Sequence, residues 1–272
     1  MSASIGVIYL DRYGNEQRSV TDFQRSLYLN KTAIDFTQVV IRKGYNAELS
    51  NKEYADWLAV ANRKVEFFNY SDEGYDLTVY QKAARNLDSE FCLFFNSHSR
   101  ILHPNWLESY VSTLERFGDG ALVGATGSWE IPSGQGEFPN VHLRSNAFLL
   151  RRKIFLSLEG PTNTRDDCLK YESGSNSMSR QVIAKGGKLV MVSSQGPAID
   201  PHDWPYSKVF RSGDQEHLLV ADNRTQDYQL ASSKRRKKLA QLAWGDIKFA
   251  SNQNSIQFLL ASVRRKYSRW RL

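Results

Sequence analysis

The chain has 272 residues, 41% of them hydrophobic, and carries a formal net charge of +7 at pH 7. This length can bury the core of one large α/β domain, or of one domain with an appendage. No apolar run approaches the roughly 20 residues that span a bilayer, and the first ten residues lack a charged segment before their apolar stretch. Cys92 and Cys168 indicate neither a disulfide framework nor a zinc site. We therefore expect a soluble, cytoplasmic protein with two free thiols.

The positive charge is concentrated near the end of the chain. Residues 234–272 contain eleven Lys or Arg and one acidic residue, Asp246, a balance of +10, so the preceding 233 residues balance to −3. A nucleic-acid groove across the main domain would need Lys and Arg spread over its binding face. We therefore expect no nucleic-acid partner.

The first 70 residues predict alternating strands and helices. Apolar or β-branched runs predict strands over residues 4–10, 37–42 and 64–70. Phe23 and Leu27 in the first gap, and Trp57 and Ala61 in the second, recur at helical spacing. This β-α-β-α-β order predicts a parallel sheet with right-handed crossovers and a crevice of the kind that binds nucleotides.

Residues 90–107 form the most informative stretch. Residues 91–95, FCLFF, are apolar throughout, as expected of a strand buried on both faces of a parallel sheet. Polar residues 96–99 follow, and Pro104 then indicates the start of a helix. Ligands of open α/β sheets bind outside the carboxyl ends of strands, so the polar turn is a candidate binding site.

This stretch resembles the GT-A glycosyltransferases, especially the large inverting family 2. In that family a buried strand ends in an Asp-x-Asp turn that holds a divalent metal on the donor diphosphate, whereas Asn96-Ser97-His98 stands here. The resemblance implies an α/β fold of the GT-A (Rossmann-like) type, with a mostly parallel central sheet flanked by helices and a C-terminal helical extension. Two carboxylates that would hold the metal are missing here, so binding of Mn or Mg stays an open alternative. Asn and neutral His can still hydrogen-bond a diphosphate.

By this resemblance, several polar residues are candidates for binding a nucleotide sugar linked to UDP, GDP or TDP. They are Asp11, Asp76, Lys82, Asn96, Ser97, His98 and His202, with Asp72 and Arg85 as alternatives. His98 and His202 are also the candidate metal ligands. Asp76 has a simpler alternative role as the cap of the helix that follows it, and a single His in a proline-rich loop, such as His202, is often structural.

The next segments resemble the acceptor side of these enzymes. Residues 121–127 predict a small-residue strand, and residues 128–140 predict a loop over the crevice. An extended stretch over residues 143–150 leads into a short helix, with Arg144 and Asn146 on one side of the stretch. The resemblance implies that Arg144 and Asn146 face the sugar or the acceptor, although these two could equally face solvent, and Trp129 is a further candidate for binding the acceptor.

An acidic segment carries the candidate catalytic carboxylates. Residues 164–174 predict an acidic turn, residues 175–185 a helix, and residues 188–192 a strand. In the family, the matching carboxylate is the general base on the acceptor hydroxyl. The resemblance places Glu172 there, with Asp167 and Asp166 in reserve. The alternative is an acidic turn that only caps the following helix.

The C-terminal region predicts a basic extension over residues 216–272, after a GT-A-like domain over residues 1–215. Residues 233–244 predict a helix with the basic run KRRKK, and apolar residues from Ile256 to Trp270 recur at helical spacing among further Lys and Arg. This composition is typical of a helix that lies on anionic lipid. A helix that covers the domain, or an RNA-binding tail, is the alternative.

Two function classes follow from the resemblance. The first is an inverting, hexosyltransferase-type glycosyltransferase that moves a sugar from a nucleotide-sugar donor to a glycan or lipid-linked acceptor in surface polysaccharide biosynthesis. Such an enzyme would be peripheral on the inner face of the cytoplasmic membrane. The second is a GT-A-like protein that binds nucleotide or glycan without catalysis, which the absent Asp-x-Asp favours. An RNA-binding protein is a third class, supported by the basic tail alone.

Overall fold

The computed structural model of the chain describes residues 4–61, 64–131, 137–160, 163–195 and 198–247. Its strands are β1 (Ile5–Arg12), β2 (Thr37–Lys43), β3 (Val65–Tyr70), β4 (Phe91–Phe95), β5 (Arg100–Ile101), β6 (Leu122–Gly124), β7 (Gly127–Ser128), β8 (His142–Leu143), β9 (Ala147–Arg151), β10 (Leu189–Met191) and β11 (Val220–Ala221). Its α-helices are α1 (Gln17–Leu29), α2 (Asn51–Ala61), α3 (Asp76–Arg85), α4 (Trp106–Phe117), α5 (Arg152–Leu156), α6 (Arg165–Ser173), α7 (Met178–Ala184), α8 (Asn223–Leu230) and α9 (Ser233–Trp244).

Seven strands form one central sheet in the order β10-β6-β9-β4-β1-β2-β3. β1 pairs in parallel with β2 and β4, β2 pairs in parallel with β3, and β10 pairs in parallel with β6. β9 lies between β4 and β6 and is antiparallel to both. The prediction of an α/β fold with a mostly parallel central sheet is therefore confirmed.

Helices cover both faces of this sheet because the central strands are apolar on both sides. Val7 and Tyr9 of β1 belong to a buried cluster that includes residues of α1, α2 and α4. Ile8 and Leu10, which alternate with them, belong to a second cluster with residues of α3, α5, α6 and α7. The two-residue repeat of strand side chains thus divides the core into two layers.

Residues 216–247 pack against the same core. β11 pairs antiparallel with β5, and α9 buries Ala240, Ala243 and Trp244. The Trp244 ring lies 5.7 Å from that of Trp129, and its Nε1 donates to the Phe210 carbonyl at 3.0 Å. The helix predicted over residues 233–244 is confirmed, whereas the boundary at residue 215 stays a prediction.

The amphipathic segment from Ile256 to Trp270 lies outside the described residues. Within the part of the chain that the structure describes, no helix has both the length and the apolar character required to cross a membrane.

Three local predictions need correction. Residues 165–173 form helix α6 instead of an acidic turn, because the Thr164 side chain accepts the Asp167 N–H and caps a helix whose Cys168 and Tyr171 are buried. The loop predicted over residues 128–140 begins within β7, which pairs with β8. The extended stretch predicted over residues 143–150 is interrupted, because Leu143 ends β8, Arg144 and Asn146 lie in the connection that follows, and β9 begins at Ala147.

Candidate functional site

Polar side chains meet at the edge of the sheet where the parallel strands end. Arg12 and Lys43 are the last residues of β1 and β2, and Asn96 directly follows β4. Because β9 is antiparallel to β4, Asn146, just before β9, lies at the same edge, and the Asn96 N–H donates to the Asn146 carbonyl at 2.9 Å. This edge is the location expected for a ligand site in an open α/β sheet.

An ion cluster joins the ends of the first three strands. The Arg12 guanidinium donates to both Asp72 carboxylate oxygens, through Nε at 3.0 Å and Nη2 at 3.2 Å. The Lys43 ammonium, 1% exposed, donates to Asp72 Oδ1 and to the Asp72 carbonyl, both at 2.6 Å. The hydrogen bond from Arg12, followed by that from Lys43, lowers the pKa of Asp72 to about 2.

Gly44 makes this cluster possible. Its φ of +78° is a left-handed conformation that side chains disfavour, and a Cβ built there would lie 3.1 Å from the Asp72 Cβ.

A carboxylate pair lies beside this cluster. Asp76 is the first residue of α3, and its Oδ1 accepts the Leu77 N–H at 2.9 Å. Glu172, near the end of α6, accepts the Ser145 N–H through Oε1 at 2.7 Å. Burial of Asp76 and, second, the nearby negative charge of Glu172 raise the pKa of Asp76 to about 6. One carboxyl of the pair therefore titrates close to neutral pH.

A neutral histidine lies behind Glu172. His142 Nδ1 is 2.8 Å from the Asn140 carbonyl, so Nδ1 carries the proton that is donated to that oxygen. Burial lowers the pKa of His142 more than the Glu172 carboxylate raises it. The imidazole consequently adds no positive charge to the site at neutral pH.

Arg144 extends the site towards the C-terminal segment. Its Nη2 donates to the fully buried Asp222 at 2.8 Å, and its Nη1 donates to Thr126 Oγ1 at 3.2 Å. Thr126 in turn donates to Asn146 Oδ1 at 2.5 Å. Arg144 and Asn146, predicted to share one side of a strand, are thus linked through Thr126.

The sequence reasoning missed Asp222. Its carboxylate accepts the Thr225 N–H in a capping box at the start of α8. Burial alone would raise its pKa, but the Arg144 guanidinium and the Thr225 hydrogen bonds outweigh burial and lower it. The Asp-x-x-Thr spacing signals the helix cap, but no local pattern indicates a partner at position 144.

The Asn96-Ser97-His98 turn uses its polar groups internally. Asn96 Oδ1 accepts the His98 N–H at 3.0 Å and the Ser99 hydroxyl at 2.9 Å. The carbonyl of buried Ser97 accepts the Tyr9 hydroxyl at 3.0 Å. The Asn96 side-chain oxygen and the Ser97 carbonyl are therefore already hydrogen-bonded within the protein.

The two candidate metal ligands have different surroundings. His98 is exposed and lines a separate cavity of about 190 Å³ together with Asp22 and Arg100. His202 Nε2 lies 3.0 Å from Asp203. Among the described residues, no group of three or more His, Cys, Asp or Glu is arranged to hold a metal ion.

A cavity of about 760 Å³ lies beside the ends of β1 and β2, between α1 and α2. Asp11 on its wall is buried, accepts the Tyr45 hydroxyl at 2.7 Å, and has a pKa raised by that burial. The Arg42 guanidinium stacks 4.4 Å from the centre of the Tyr45 ring, and Trp57 and Arg12 also line the cavity. Its volume and its mixture of aromatic and polar groups suit a small organic ligand.

Three further predicted residues lie at other positions. Trp129 is 3% exposed and packs against Trp244. Asp167 lies in the first turn of α6 and accepts the Thr164 hydroxyl at 2.5 Å. It precedes Glu172 by five positions, about 7.5 Å along the helix axis. Lys82 is half-buried in the last turn of α3. The roles of all three residues stay predictions.

No family model matches the sequence, and no curated protein matches it. Similar solved structures include residues 1–349 of S. aureus TarS (14% identity, 74% of this chain and 61% of that chain, TM-score 0.44). They also include GalNAc-T7 with UDP, GalNAc and Mn²⁺ (15% identity, 70% of this chain and 41% of that chain, TM-score 0.46). A third is CMP:2-keto-3-deoxy-manno-octonic acid synthetase with CTP (9% identity, 73% of this chain and 93% of that chain, TM-score 0.44).

The chain spans between 29% and 61% of the length of the TarS structures that it matches. At these identities and scores the likeness assigns no activity to this chain.

Proposed function

We propose that the chain is a glycosyltransferase that moves a sugar, with inversion, from a nucleotide-sugar donor to a glycan or lipid-linked acceptor in surface polysaccharide biosynthesis. The observation that carries this proposal is the Asp76–Glu172 carboxylate pair at the carboxyl edge of the sheet. Inverting transfer needs a carboxylate on the acceptor side, opposite the leaving diphosphate.

Glu172 is the proposed general base. The Ser145 N–H fixes one of its carboxylate oxygens, which orients the group without removing its charge. As the acceptor oxygen bonds to the sugar C1 and the C1–O bond to the diphosphate breaks, Glu172 takes the proton of the acceptor hydroxyl. Arg144 and Asn146, on the adjoining turn, are proposed to contact the acceptor or the transferred sugar.

Asp76 and Asp11 are the proposed contacts to the donor. Asp76 is mostly ionised at pH 7–8, given its pKa of about 6, and can accept hydrogen bonds from sugar hydroxyls. Asp11 lies on the wall of the large cavity, which is proposed to hold the nucleoside.

The residues of the polar turn do not fit a divalent metal. Asn96 supplies one side-chain oxygen, and that oxygen already accepts two hydrogen bonds within the turn. Mg²⁺ and Mn²⁺ prefer carboxylate oxygens, and the turn has none. The proposed mechanism therefore uses only residues of the chain.

Substituting Glu172→Gln tests the base. We expect turnover, measured as release of UDP, GDP or TDP from the corresponding nucleotide sugars, to fall by about 10²–10⁴-fold, while affinity for the nucleotide stays unchanged. Glu115→Gln is the matched control, because it makes the same substitution at an exposed residue near the end of α4. Unchanged turnover in Glu172→Gln would remove Glu172 from the mechanism, and a loss in Asp167→Asn instead would transfer the role to Asp167.

The alternative function is nucleotide or glycan binding without catalysis. The specific observation in its favour is that Asn96-Ser97-His98 supplies no carboxylate at the turn. Tight binding of one nucleotide, together with no release from any sugar conjugate and no effect of Glu172→Gln, would favour this alternative.

A peripheral position on the cytoplasmic membrane is proposed for the C-terminal region. The exposed face of α9 carries Lys234, Lys237 and Lys238, and Leu230 and Leu242 beside it are 78% and 54% exposed. Basic and apolar side chains together favour anionic lipid. Sedimentation with anionic vesicles is expected to fall on deletion of residues 255–272 and to fall further when the three lysines become Gln. Equal sedimentation of all forms would refute this location.

A further inference from the structure

Arg12 lies between the two halves of the candidate site. It lines the cavity of about 760 Å³ that also contains Asp11 and Trp57. It is also paired with Asp72 and interacts electrostatically with Asp76, a member of the carboxylate pair. A donor with its nucleoside in the cavity and its sugar at the carboxylate pair would place its diphosphate near Arg12.

The charge of Arg12 suits that position. A diphosphate brings negative charge into a site that already contains Asp76 and Glu172, and the Asn96 turn offers no carboxylates to hold a neutralising metal. Arg12 is 42% exposed, so ligand can reach it. Its two hydrogen bonds to Asp72 use Nε and Nη2. A guanidinium then has three further N–H donors with the geometry that phosphate oxygens accept.

The surroundings of Arg12 hold it in one orientation. Asp72 binds the guanidinium through two hydrogen bonds, and Lys43, 1% exposed, holds Asp72 through two contacts of 2.6 Å. Lys43, Asp72 and Arg12 together carry a charge of +1, so the cluster keeps a net attraction for an anion after its internal pairing. Pre-organisation of this kind lowers the entropic cost of binding.

We infer that Arg12 binds the diphosphate of the donor directly and supplies the positive charge that a metal supplies in Asp-x-Asp sites, with Asp72 and Lys43 as positioning residues. This inference rests on the proposed function, because it takes the donor to be a nucleotide sugar. It extends that function by assigning metal-independent recognition of the diphosphate to a residue at the end of β1.

Calorimetric titration of the full chain, in EDTA and separately with Mn²⁺, tests the inference. The probes are UDP, GDP and TDP, each compared with its nucleoside. We expect one diphosphate to bind in EDTA, and Arg12→Gln to weaken that binding about tenfold or more, because a hydrogen bond to a charged group is lost. Affinity for the nucleoside should change less than about twofold. Arg12→Lys keeps the positive charge but loses the bidentate geometry. Its diphosphate affinity should therefore lie between that of the unmodified protein and that of Arg12→Gln.

Arg18→Gln is the matched control, because it removes one positive charge from α1 at a side chain that is 80% exposed and paired with Asp22. Its diphosphate affinity should equal that of the unmodified protein. Circular dichroism of each variant checks that the fold is retained.

Several outcomes would overturn the inference. Unchanged diphosphate affinity in Arg12→Gln, or an equal loss for nucleoside and diphosphate, would remove Arg12 from the phosphate site and leave the transferase proposal standing. Binding that requires Mn²⁺ and disappears in EDTA would assign the charge to a metal instead. Absence of binding to all three diphosphates would refute both the inference and the proposed function.

Discussion

Asp72 and Asp76 lie four positions apart, yet their surroundings shift their pKa values in opposite directions. Hydrogen bonds from Arg12 and then Lys43 lower the pKa of Asp72 to about 2. Burial and then the Glu172 carboxylate raise the pKa of Asp76 to about 6. Replacing each Asp with Asn should therefore change the free energy of unfolding with opposite signs.

The sign follows from proton linkage. The folded state binds a proton at Asp76 more tightly than the unfolded state, so ionisation as pH rises from about 4 through 6 destabilises the fold. A pKa change from 3.8 to about 6 corresponds to about 3 kcal/mol. This is an upper limit, because Asp76 keeps some contact with water, which screens its charge.

We therefore expect Asp76→Asn to be more stable than the unmodified protein at pH 8, by up to about 3 kcal/mol, with the difference vanishing near pH 4. The Asn oxygen can still accept the Leu77 N–H, so the helix start is kept. The paired Asp72 stabilises the fold above about pH 4, and that stabilisation is lost as pH falls through about 2. Asp72→Asn should therefore be less stable at pH 7, and the deficit should shrink in acid.

Urea unfolding, followed by circular dichroism at pH 4.5, 6 and 8, measures both differences. Thermal midpoints extend the Asp72 comparison towards pH 2. A stability difference for Asp76→Asn that is independent of pH, or that has the opposite sign at pH 8, would refute the reasoning. If both Asn substitutions changed the free energy of unfolding with the same sign, loss of a hydrogen bond, and not loss of charge, would control both sites.

Three further substitutions test the packing around the site. Asp222→Asn keeps the oxygen that caps α8 but leaves Arg144 beside a neutral amide. We therefore expect the free energy of unfolding, measured in urea, to fall by about 3 kcal/mol. A fall below about 1 kcal/mol would mean that water replaces the ion pair. Gly127→Ala should cost about 1–3 kcal/mol, because a Cβ there would lie 2.4 Å from the Trp204 ring. Gly120→Ala, whose Cβ would meet its nearest atom at 3.6 Å, should stay within about 0.5 kcal/mol. Trp244→Ala should cost about 3–5 kcal/mol, since Trp244 packs on Trp129 and donates to the Phe210 carbonyl, and an unchanged thermal midpoint would show that α9 does not contribute to the core.

Most strands and helices could be predicted because their signals are local. The run from Phe91 to Phe95 contains no polar residue and forms β4 with those same bounds. The apolar spacing of α1 and α2 indicated both of them, and Pro104 indicated the start of α4. Helix α6 was missed because its sequence, RDDCLKYES, is mostly polar, and its stability depends on the Thr164 cap and on burial of Cys168 and Tyr171, which are decided outside the helix.

The direction of β9 could not be predicted. Its apolar residues, Ala147 to Leu150, suit a parallel or an antiparallel strand equally well. Its direction depends on the turn formed by Arg144, Ser145 and Asn146, and that turn is held by contacts with Thr126 and Glu172. Only the folded chain brings those partners together.

The sequence alone determined the fold class and most of the secondary structure, since hydrophobic periodicity and caps act over a few residues. Asp76 and Glu172 became candidates through the resemblance to the GT-A glycosyltransferases. The tertiary structure decided which charges meet. Arg12 pairs with Asp72 across 60 positions and Arg144 with Asp222 across 78. In the sequence, each of these charged residues resembles an ordinary surface residue. An ion pair depends on the distance between its partners in space, and the order of the strands sets that distance independently of the local sequence.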